Sequence, residues 1–197
     1  MESAQPRVMT MADYFRMEET AERKSEFFDG EVFAMAGASI AHNLLAANVT
    51  AALHRALAAG PCRVFPGDMR VEVSPGHHYA YPDVSVVCGE IQRGAGRDDT
   101  IANPRLIVEI PAASTRDYDR GSKFTAYRGI PALVDYLLID QYTIHVEHYG
   151  RTDDRKWWLT DHRRIDEVLE LTSLAVRLPL SEIYHRVRPA IRSPQPT

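Results

Sequence analysis

The stretch from 103 to 128 constrains the fold of this chain more than any other. It opens with the apolar run Leu-Ile-Val-Glu-Ile at 106–110, which turn-forming prolines bound on both sides. A short apolar run between turn residues is typical of a buried strand. From Thr115 polar residues are mixed with Tyr118, Phe124 and Tyr127 up to Gly129, and this segment with a Ser/Thr start and a Gly stop predicts a helix. The sequence therefore predicts a carboxylate, Glu109, in a buried strand and a lysine-bearing helix directly after it.

The rest of the chain predicts further helices and strands around this unit, beginning with a short helix from about Met11 for which Thr10 is the N-cap. Asp29-Gly30 lies between two apolar runs and is the strongest short-range signal of a β-hairpin. Ser39 is a typical N-cap for a helix that continues to about Ala58, and two adjacent apolar rows along that helix predict a broad buried face. Shorter apolar runs predict strands at 63–65, 69–73, 84–88, 135–140, 143–149, 156–160 and 168–171.

This order of elements predicts the fold class. A hairpin, a helix, a group of strands, a crossover helix and returning strands are typical of an α/β domain with a mixed central β-sheet flanked by helices. Here the sheet is preceded by an N-terminal hairpin and followed by a C-terminal β-meander. The 197 residues, 45% of them hydrophobic, are enough for one sizeable core. We expect one domain over 10–187, flexible tails at 1–9 and 188–197, and a mobile connector at 89–102.

The overall charge limits the contacts that the protein can make with nucleic acid. The net charge is −4 and the isoelectric point is about 6.1, so the chain has no global basic footprint. Any binding to DNA would need a local basic patch, and it would be weak and lost with salt. Arg93, Arg97, Arg116 and Arg120 could form such a patch. Neighbouring aspartates make a solvated mixed-charge surface the alternative, which we favour for Arg93 and Arg97.

The cysteines and the hydropathy bear on location. Cys62 and Cys88 lie in strand-like runs, no CxxC motif is present, and buried free thiols in a reducing compartment are the plain interpretation. The sequence contains neither a secretory signal nor 18 consecutive apolar residues. We therefore expect a soluble, cytoplasmic protein without membrane contact.

Three charged residues form the strongest candidate for a reactive site. Asp83 precedes an apolar strand, Glu109 lies within one, and Lys123 lies on the following helix. If the two strands pair, the carboxylates converge at one edge of the sheet. Two hard oxygen ligands suit Mg²⁺ or Mn²⁺, which also bind substrate phosphate. The lysine could then reach back to orient water or to stabilise negative charge.

Each of these residues also has a simpler interpretation. A Pro-Asp pair is common at turns, and a lysine on a helix usually faces solvent. Glu109 is harder to explain in this way, because a buried unpaired carboxylate costs several kcal/mol. Its alternative is an ion pair with Arg105, Arg116 or Lys123. We interpret the neighbouring His77-His78 pair as a solvated loop, since no third ligand stands at metal spacing.

Several short motifs carry a family resemblance through their order and spacing. They are Tyr81-Pro82-Asp83, Val108-Glu109-Ile110, Ser114-Thr115-Arg116, Asp119-Arg120-Gly121, Lys123, Ile130-Pro131 and Tyr136-Leu137-Leu138-Ile139-Asp140. Together they resemble the Uma-two family of restriction-endonuclease-like nucleases, in the PD-(D/E)XK superfamily. The segment from Glu26 to Glu31 and the helix bearing His42-Asn43 are similar to the opening of the same family. The resemblance covers roughly residues 10 to 185.

The resemblance implies a restriction-endonuclease-like core and a role for each matching residue. Asp83 would be the Pro-Asp acid, Glu109 the second acid, and Ile110 a further metal ligand beside it. Pro111 stands where the superfamily pattern has its lysine, so Lys123 would be the migrated lysine of this family.

Supporting roles follow from the same resemblance. Glu31 or Glu26 would add a carboxylate to the site, and His42 would lie near it. Without the resemblance, His42 is more simply a packing or capping residue, and Glu31 an exposed hairpin charge. The chain departs from the family at Pro111-Ala112-Ala113-Ser114, where a Leu-Ser-Pro-Ser-like turn is usual.

These observations lead to an expected function with alternatives. We expect a Mg²⁺- or Mn²⁺-dependent endonuclease that hydrolyses DNA phosphodiester bonds, with Asp83, Glu109, Lys123, Glu31 and His42 as its catalytic residues. The first alternative is an inactive nucleic-acid-binding or protein-interaction module on the same fold. The second is a metal-dependent enzyme that acts on another phosphate ester. We also expect a homodimer, which an exposed tryptophan in Trp157-Trp158 would support.

Overall fold

The computed structural model describes residues 9–35, 37–113, 115–152 and 156–188. The expectation of flexible tails therefore lies outside the described residues, apart from Met9 and Arg188. Helix α1 (Met11–Glu18) begins as predicted, because the Thr10 hydroxyl accepts a hydrogen bond from the Asp13 N–H. Helix α2 (Ile40–Leu57) begins at the predicted cap, where Ser39 accepts from the His42 N–H.

Two further regions that contain α-helix follow in the second half of the described chain. Three consecutive segments form one irregular helix, here named the crossover helix: Arg116–Tyr118, Asp119–Lys123 and Phe124–Tyr127. A short terminal helix spans Leu180–Ile183. Among the described residues, no helix is long and apolar enough to cross a membrane.

Strands supply the rest of the regular structure. Within the described residues they are β1 (Ser25–Phe28), β2 (Glu31–Ala34), β3 (Cys62–Pro66), β4 (Arg70–Ser74), β5 (His78–Ala80), β6 (Val84–Cys88), β7 (Thr100–Ile101), β8 (Leu106–Glu109), β9 (Asp135–Ile139), β10 (Val146–Arg151), β11 (Trp157–His162), β12 (Val168–Leu171) and β13 (Val176–Pro179).

The strands form one central sheet and two smaller sheets. The central sheet has the order β11-β10-β9-β8-β6-β3, and it is mixed because β8 and β9 run parallel while its other neighbours are antiparallel. The second sheet, β2-β1-β5-β4-β7, contains the predicted N-terminal hairpin. The predicted C-terminal meander comprises β9, β10 and β11. It does not include β12, which pairs with β13 in a separate sheet.

The central sheet is covered on both faces, and strand alternation decides which side chains reach which face. Leu106 and Val108 of β8 pack with α2, whereas Ile107 packs with the crossover helix. Side chains along a strand alternate between faces. The next residue on the Ile107 side is Glu109, so the fold directs this carboxylate towards the crossover helix.

Helix α2 buries one of its two apolar rows instead of both. Leu45 and Val49 are fully buried against the central sheet. In the other row, Ile40 is 82% exposed and Leu44 is 37% exposed. The expectation of a broad buried face is therefore wrong, because the sheet covers only the side of α2 that faces it.

Three local expectations are corrected by the structure. His78 is a buried residue of β5 and not part of a solvated loop. The connector 89–102 contains β7, which pairs in parallel with β4. Cys62 and Cys88 lie directly opposite each other on β3 and β6 and are joined by a disulfide, so they are not free thiols.

The hairpin turn is the first feature to test by mutation. Asp29 and Gly30 adopt positive φ angles of 45° and 89°, as a type I′ turn requires. Alanine in this conformation is strained, so we expect Gly30→Ala to lower the free energy of unfolding by about 1–2 kcal/mol. Gly60→Ala is the control, since Gly60 lacks a positive φ and its added methyl would meet Leu57 O at an ordinary 3.6 Å. Urea denaturation measures the free energy of unfolding, and an equal decrease in both variants would contradict this explanation.

Candidate active site

Two acids from distant parts of the chain meet at one end of the central sheet. Strands β6 and β8 are antiparallel neighbours in the register Val84↔Val108. Asp83 precedes Val84 and Glu109 follows Val108, so the same register sets the two acids opposite each other. The expectation that these strands pair is confirmed.

Asp83 is held in a fixed orientation by two contacts. Its Oδ2 accepts a hydrogen bond of 2.7 Å from the Ile110 N–H. Its Oδ1 lies 3.0 Å from Nε2 of His42, in the first turn of α2. The other ring nitrogen of His42, Nδ1, is buried without a hydrogen-bond partner among the described residues. The loop after β8 and the start of α2 therefore both position the Asp83 carboxylate.

Lys123 lies at the centre of a group of buried carboxylates. Its Nζ is 2.9 Å from Oε1 of Glu109 and 2.8 Å from Oε1 of Glu26, and it lies 3.7 Å from Oδ1 of Asp119. All four side chains are buried. The Tyr127 hydroxyl donates a further hydrogen bond of 2.8 Å to Oε1 of Glu109. The lysine thus faces the site and not solvent.

The electrostatics of this group follow from burial and from its excess of acids. Burial raises the pKa of Glu109 well above its usual value, and nearby acids raise it further although Lys123 opposes them. Burial likewise raises the pKa of Asp119. Burial alone would lower the pKa of Lys123, but attraction to Glu109, Glu26 and Asp119 outweighs this and raises it. The lysine therefore stays charged, and the site favours an additional cation.

A local irregularity of the crossover helix turns Asp119 and Lys123 towards the acids. The segment Asp119–Lys123 is a π-helical turn within the helix, and both of its end residues are buried. Single π-turns inside α-helices are frequent at functional sites. The Tyr136 hydroxyl donates to the Asp119 carbonyl oxygen at 3.0 Å, which helps to fix this turn to β9.

An open cleft of about 580 Å³ gives access to these residues. Asp83, Glu109 and Lys123 are among the side chains that line it. One wall is formed by the end of β2 and the loop that leads to α2, and the other by the crossover helix and the residues after β9. A volume of this size is typical of a ligand site.

The structure places the candidate residues in two groups. Asp83, Glu109, Ile110, Lys123 and His42 all line the cleft. Glu31 does not lie with them: it is an exposed residue that pairs with Phe28 in the hairpin. Of the two hairpin carboxylates considered for the site, only Glu26 is in contact with Lys123.

Sequence reasoning missed some of the residues that complete the site. In the sequence, Asp119 stands out only as part of a family motif and of a possible mixed-charge surface, yet it is buried beside Lys123. Tyr127 is one of the aromatic residues of the predicted helix, and its hydroxyl also donates to Glu109. Gln141 was not singled out, and its amide donates to the Pro111 carbonyl at 2.8 Å and thereby supports the altered turn. The spacing of four residues between Asp119 and Lys123 was the available signal, because such residues share a helix face.

A second group of possible metal ligands has a simpler explanation. Nε2 of His145 lies 2.6 Å from Oδ1 of Asp161, and Glu147 is close by. Arg120 makes an ion pair with Glu147, and Arg163 lies 3.5 Å from Asp161. These cations already balance the two acids, so we interpret the group as a structural charge network.

The arginines proposed as a basic patch are likewise paired with acids. Arg116 lies 2.8 Å from Asp140, and Arg120 binds Glu147. Arg93 and Arg97 are paired with Asp98 and Asp99 respectively. The patch expected from the sequence is therefore largely neutralised within the protein.

Comparison with known proteins assigns the chain to a family. A family model described as "Putative restriction endonuclease", Uma2, matches residues 11–181. The chain belongs to the Uma2 family. It is 39% identical over 158 residues to the uncharacterised Synechocystis sp. protein sll1609, covering 80% of this chain and 89% of that protein. It is 33% identical over 172 residues to the uncharacterised protein slr1290 from the same organism, and this match covers 87% of this chain and 89% of that protein.

A solved structure supports the same fold. The chain matches a putative nuclease belonging to DUF820 from Anabaena variabilis with a TM-score of 0.71 and 17% identity. The match covers 89% of this chain and 97% of that one. The expected restriction-endonuclease-like α/β fold and the Uma2 resemblance are both confirmed. Family and fold together indicate a restriction-endonuclease-like nuclease.

A buried histidine next to the site makes stability depend on pH. Burial lowers the pKa of His78 to about 4, and both of its ring nitrogens lack partners among the described residues. A histidine in the unfolded chain has a pKa near 6.5. The stability that depends on a neutral His78 is therefore fully present above that pH and is lost as the pH falls towards 4. Between about pH 7.5 and pH 4, we expect the free energy of unfolding of wild type to fall by roughly 3 kcal/mol more than that of His78→Phe. Urea denaturation at both pH values measures the difference, and parallel losses would contradict it.

Proposed function

We propose that this Uma2 protein is a metal-dependent endonuclease that hydrolyses phosphodiester bonds in DNA. The observation that carries the proposal is the meeting of Asp83 and Glu109 across two paired strands, with the Lys123 ammonium 2.9 Å from Glu109. Two acids and a lysine, held at one end of a mixed sheet, match the roles that the family pattern assigns to them. The burial of Lys123 among acids also removes the interpretation of a solvated helix charge.

The donor set fits a hard divalent cation. The Asp83 and Glu109 carboxylates, together with the Ile110 main chain, would hold Mg²⁺ or Mn²⁺. The Tyr127 hydrogen bond and the Lys123 ion pair to Glu109 both involve Oε1, which leaves Oε2 as the oxygen for a metal. The excess of buried acids over cations favours the same ion. When bound, it would lower the pKa of a water molecule and offset negative charge on phosphate oxygens.

The residues of the chain itself position the two acids and stabilise negative charge on the substrate. Lys123 is charged and fixed, so it can stabilise negative charge that develops on the phosphate in the transition state. Tyr127 and Glu26 hold Glu109 and Lys123 in place by hydrogen bonds of 2.8 Å. His42 and the Ile110 N–H orient Asp83.

The altered turn after Glu109 is compatible with this arrangement. The Pro111 carbonyl accepts from Gln141, and the Ala113 N–H donates to the Tyr142 hydroxyl at 3.1 Å. The turn is therefore attached to the segment that follows β9.

Cleavage of supercoiled plasmid with Mg²⁺ or Mn²⁺ tests the proposal. We expect wild type to nick the plasmid, and Asp83→Asn to abolish nicking and metal binding by calorimetry while the fold is retained. Asp68→Asn is the matched control, because Asp68 is an exposed acid outside the cleft. Nicking that survives in Asp83→Asn would indicate a contaminant and overturn the assignment. Metal-independent DNA binding without cleavage would support the inactive-module alternative.

We further propose that the protein is a homodimer. Trp158 is 66% exposed on β11, which is an edge strand of the central sheet. An exposed edge strand with a large apolar residue is a natural contact for a second chain. Sedimentation of wild type and Trp158→Ser tests this, and a monomeric wild type would contradict it.

A further inference from the structure

We propose that the cleft accepts an unpaired DNA strand whose bases stack on Phe33 and Tyr118. This inference rests on the proposed nuclease function, and it names the class of substrate. Both side chains line the cleft that gives access to Asp83 and Glu109. Phe33 is 48% exposed and Tyr118 is 39% exposed, although large aromatic residues are usually buried.

The two rings are positioned by different elements next to the acids. Phe33 of β2 is the direct cross-strand partner of Glu26 of β1. Directly opposite residues of an antiparallel pair project on the same face, so the Phe33 ring lies beside the carboxylate that holds Lys123. Tyr118 immediately precedes Asp119 on the crossover helix. A strand that contacted both rings would therefore pass over the site.

No described residue partners either ring in a way that would explain its position. Within the described part of the chain, neither Phe33 nor Tyr118 makes a ring contact or a side-chain hydrogen bond. The other large aromatic residues near the crossover helix behave differently: Phe124 stacks on Tyr136 with ring centroids 5.1 Å apart. The exposed faces of Phe33 and Tyr118 are thus available to a ligand with flat apolar surfaces.

The charges around the cleft disfavour a double helix as the main ligand. Of the described residues that line it, Lys123 and His42 are the basic ones, and both already contact carboxylates. The nearby Arg116 and Arg120 are paired with Asp140 and Glu147. A duplex presents its phosphates and keeps its bases stacked inside, so it needs free cations for affinity. An unpaired strand offers base faces, and stacking on aromatic side chains supplies affinity without regard to sequence.

Fluorescence anisotropy without divalent metal tests binding separately from cleavage. The probes are a labelled oligothymidylate and a labelled blunt duplex of the same length, in buffer with EDTA. We expect the single strand to bind at least tenfold more tightly than the duplex. Phe33→Ala and Tyr118→Ala should each weaken single-strand binding roughly five- to hundredfold, the fold-change that corresponds to loss of one base-stacking contact. Phe33→Tyr and Tyr118→Phe should retain it.

Controls and cleavage rates separate stacking from a general structural effect. Ile165→Ala removes an exposed apolar side chain outside the cleft and should bind as wild type does. With Mg²⁺ or Mn²⁺, Phe33→Ala should raise KM for single-stranded substrate with little change in kcat. Equal affinity for both probes, or full affinity in both alanine variants, would overturn this inference and leave the nuclease proposal intact. Binding that depends on the two rings without any cleavage would support the inference and overturn the nuclease proposal.

Discussion

Lys123→Met is expected to lower the free energy of unfolding by about 3–5 kcal/mol, because it leaves buried carboxylates without their cation. Lys123 contacts Glu26 and Glu109 at less than 3 Å and lies 3.7 Å from Asp119. Methionine keeps most of the side-chain volume, so the loss reflects charge and not a cavity. Cleavage should fall by at least about 10²-fold, the usual effect of removing a group that stabilises transition-state charge.

The pH dependence of the variant distinguishes this cause from poor packing. Protonated carboxyl groups need no counter-charge, so the difference in stability between Lys123→Met and wild type should narrow as the pH falls. Urea denaturation over a range of pH measures it. Lys24→Met is the matched control, since Lys24 makes a surface ion pair with Asp68 and its loss should cost less than about 1 kcal/mol. A constant penalty for Lys123→Met at every pH would contradict the electrostatic explanation.

Local sequence signals predicted most of the fold correctly. The caps at Thr10 and Ser39, the Asp29-Gly30 turn and the apolar run of β8 each depend on residues close together in the chain. Such features are determined by backbone geometry and by hydrogen bonds within a few residues. The convergence of Asp83 and Glu109 was also predictable, because only a pairing of two neighbouring apolar strands was needed.

What the sequence did not predict depends on contacts between distant segments. Glu26 reaches Lys123 across 97 residues, and nothing near Glu26 distinguishes it from the exposed Glu31. Asp119 is buried at the start of a π-turn that no local sequence signal predicts. Leu44 is exposed and Leu45 buried although both continue an apolar row. Which row faces the sheet is decided by the docking of α2 and not by its hydrophobicity.

The cysteines show the same limit. Cys62 and Cys88 are separated by 26 residues, and no motif joins them. The chain passes through β4 and β5 of the second sheet between them, and only the antiparallel register of β3 and β6 sets them opposite each other. The strand-like runs around the cysteines and the absence of a CxxC motif favoured free thiols, and this expectation is wrong because the pairing of β3 with β6 joins them in a disulfide.

Reduction of the Cys62–Cys88 disulfide is therefore expected to destabilise the protein substantially. A cross-link that closes a loop of this length restricts the unfolded chain, and the loop-entropy relation gives about 3–4 kcal/mol. For a protein of this size that corresponds to a fall in Tm of roughly 10 °C. Thermal unfolding monitored by circular dichroism, with and without dithiothreitol, measures the change.

A double variant separates the disulfide from other effects of the reductant. Cys62→Ser combined with Cys88→Ser should unfold near the temperature of the reduced wild type and should not respond to dithiothreitol. The bond joins the edge strand β3 to β6, and Asp83 immediately precedes β6. Reduction should therefore also loosen this side of the cleft and weaken metal binding by calorimetry. A wild type whose Tm is the same in both buffers would show that the disulfide does not contribute to its stability in solution.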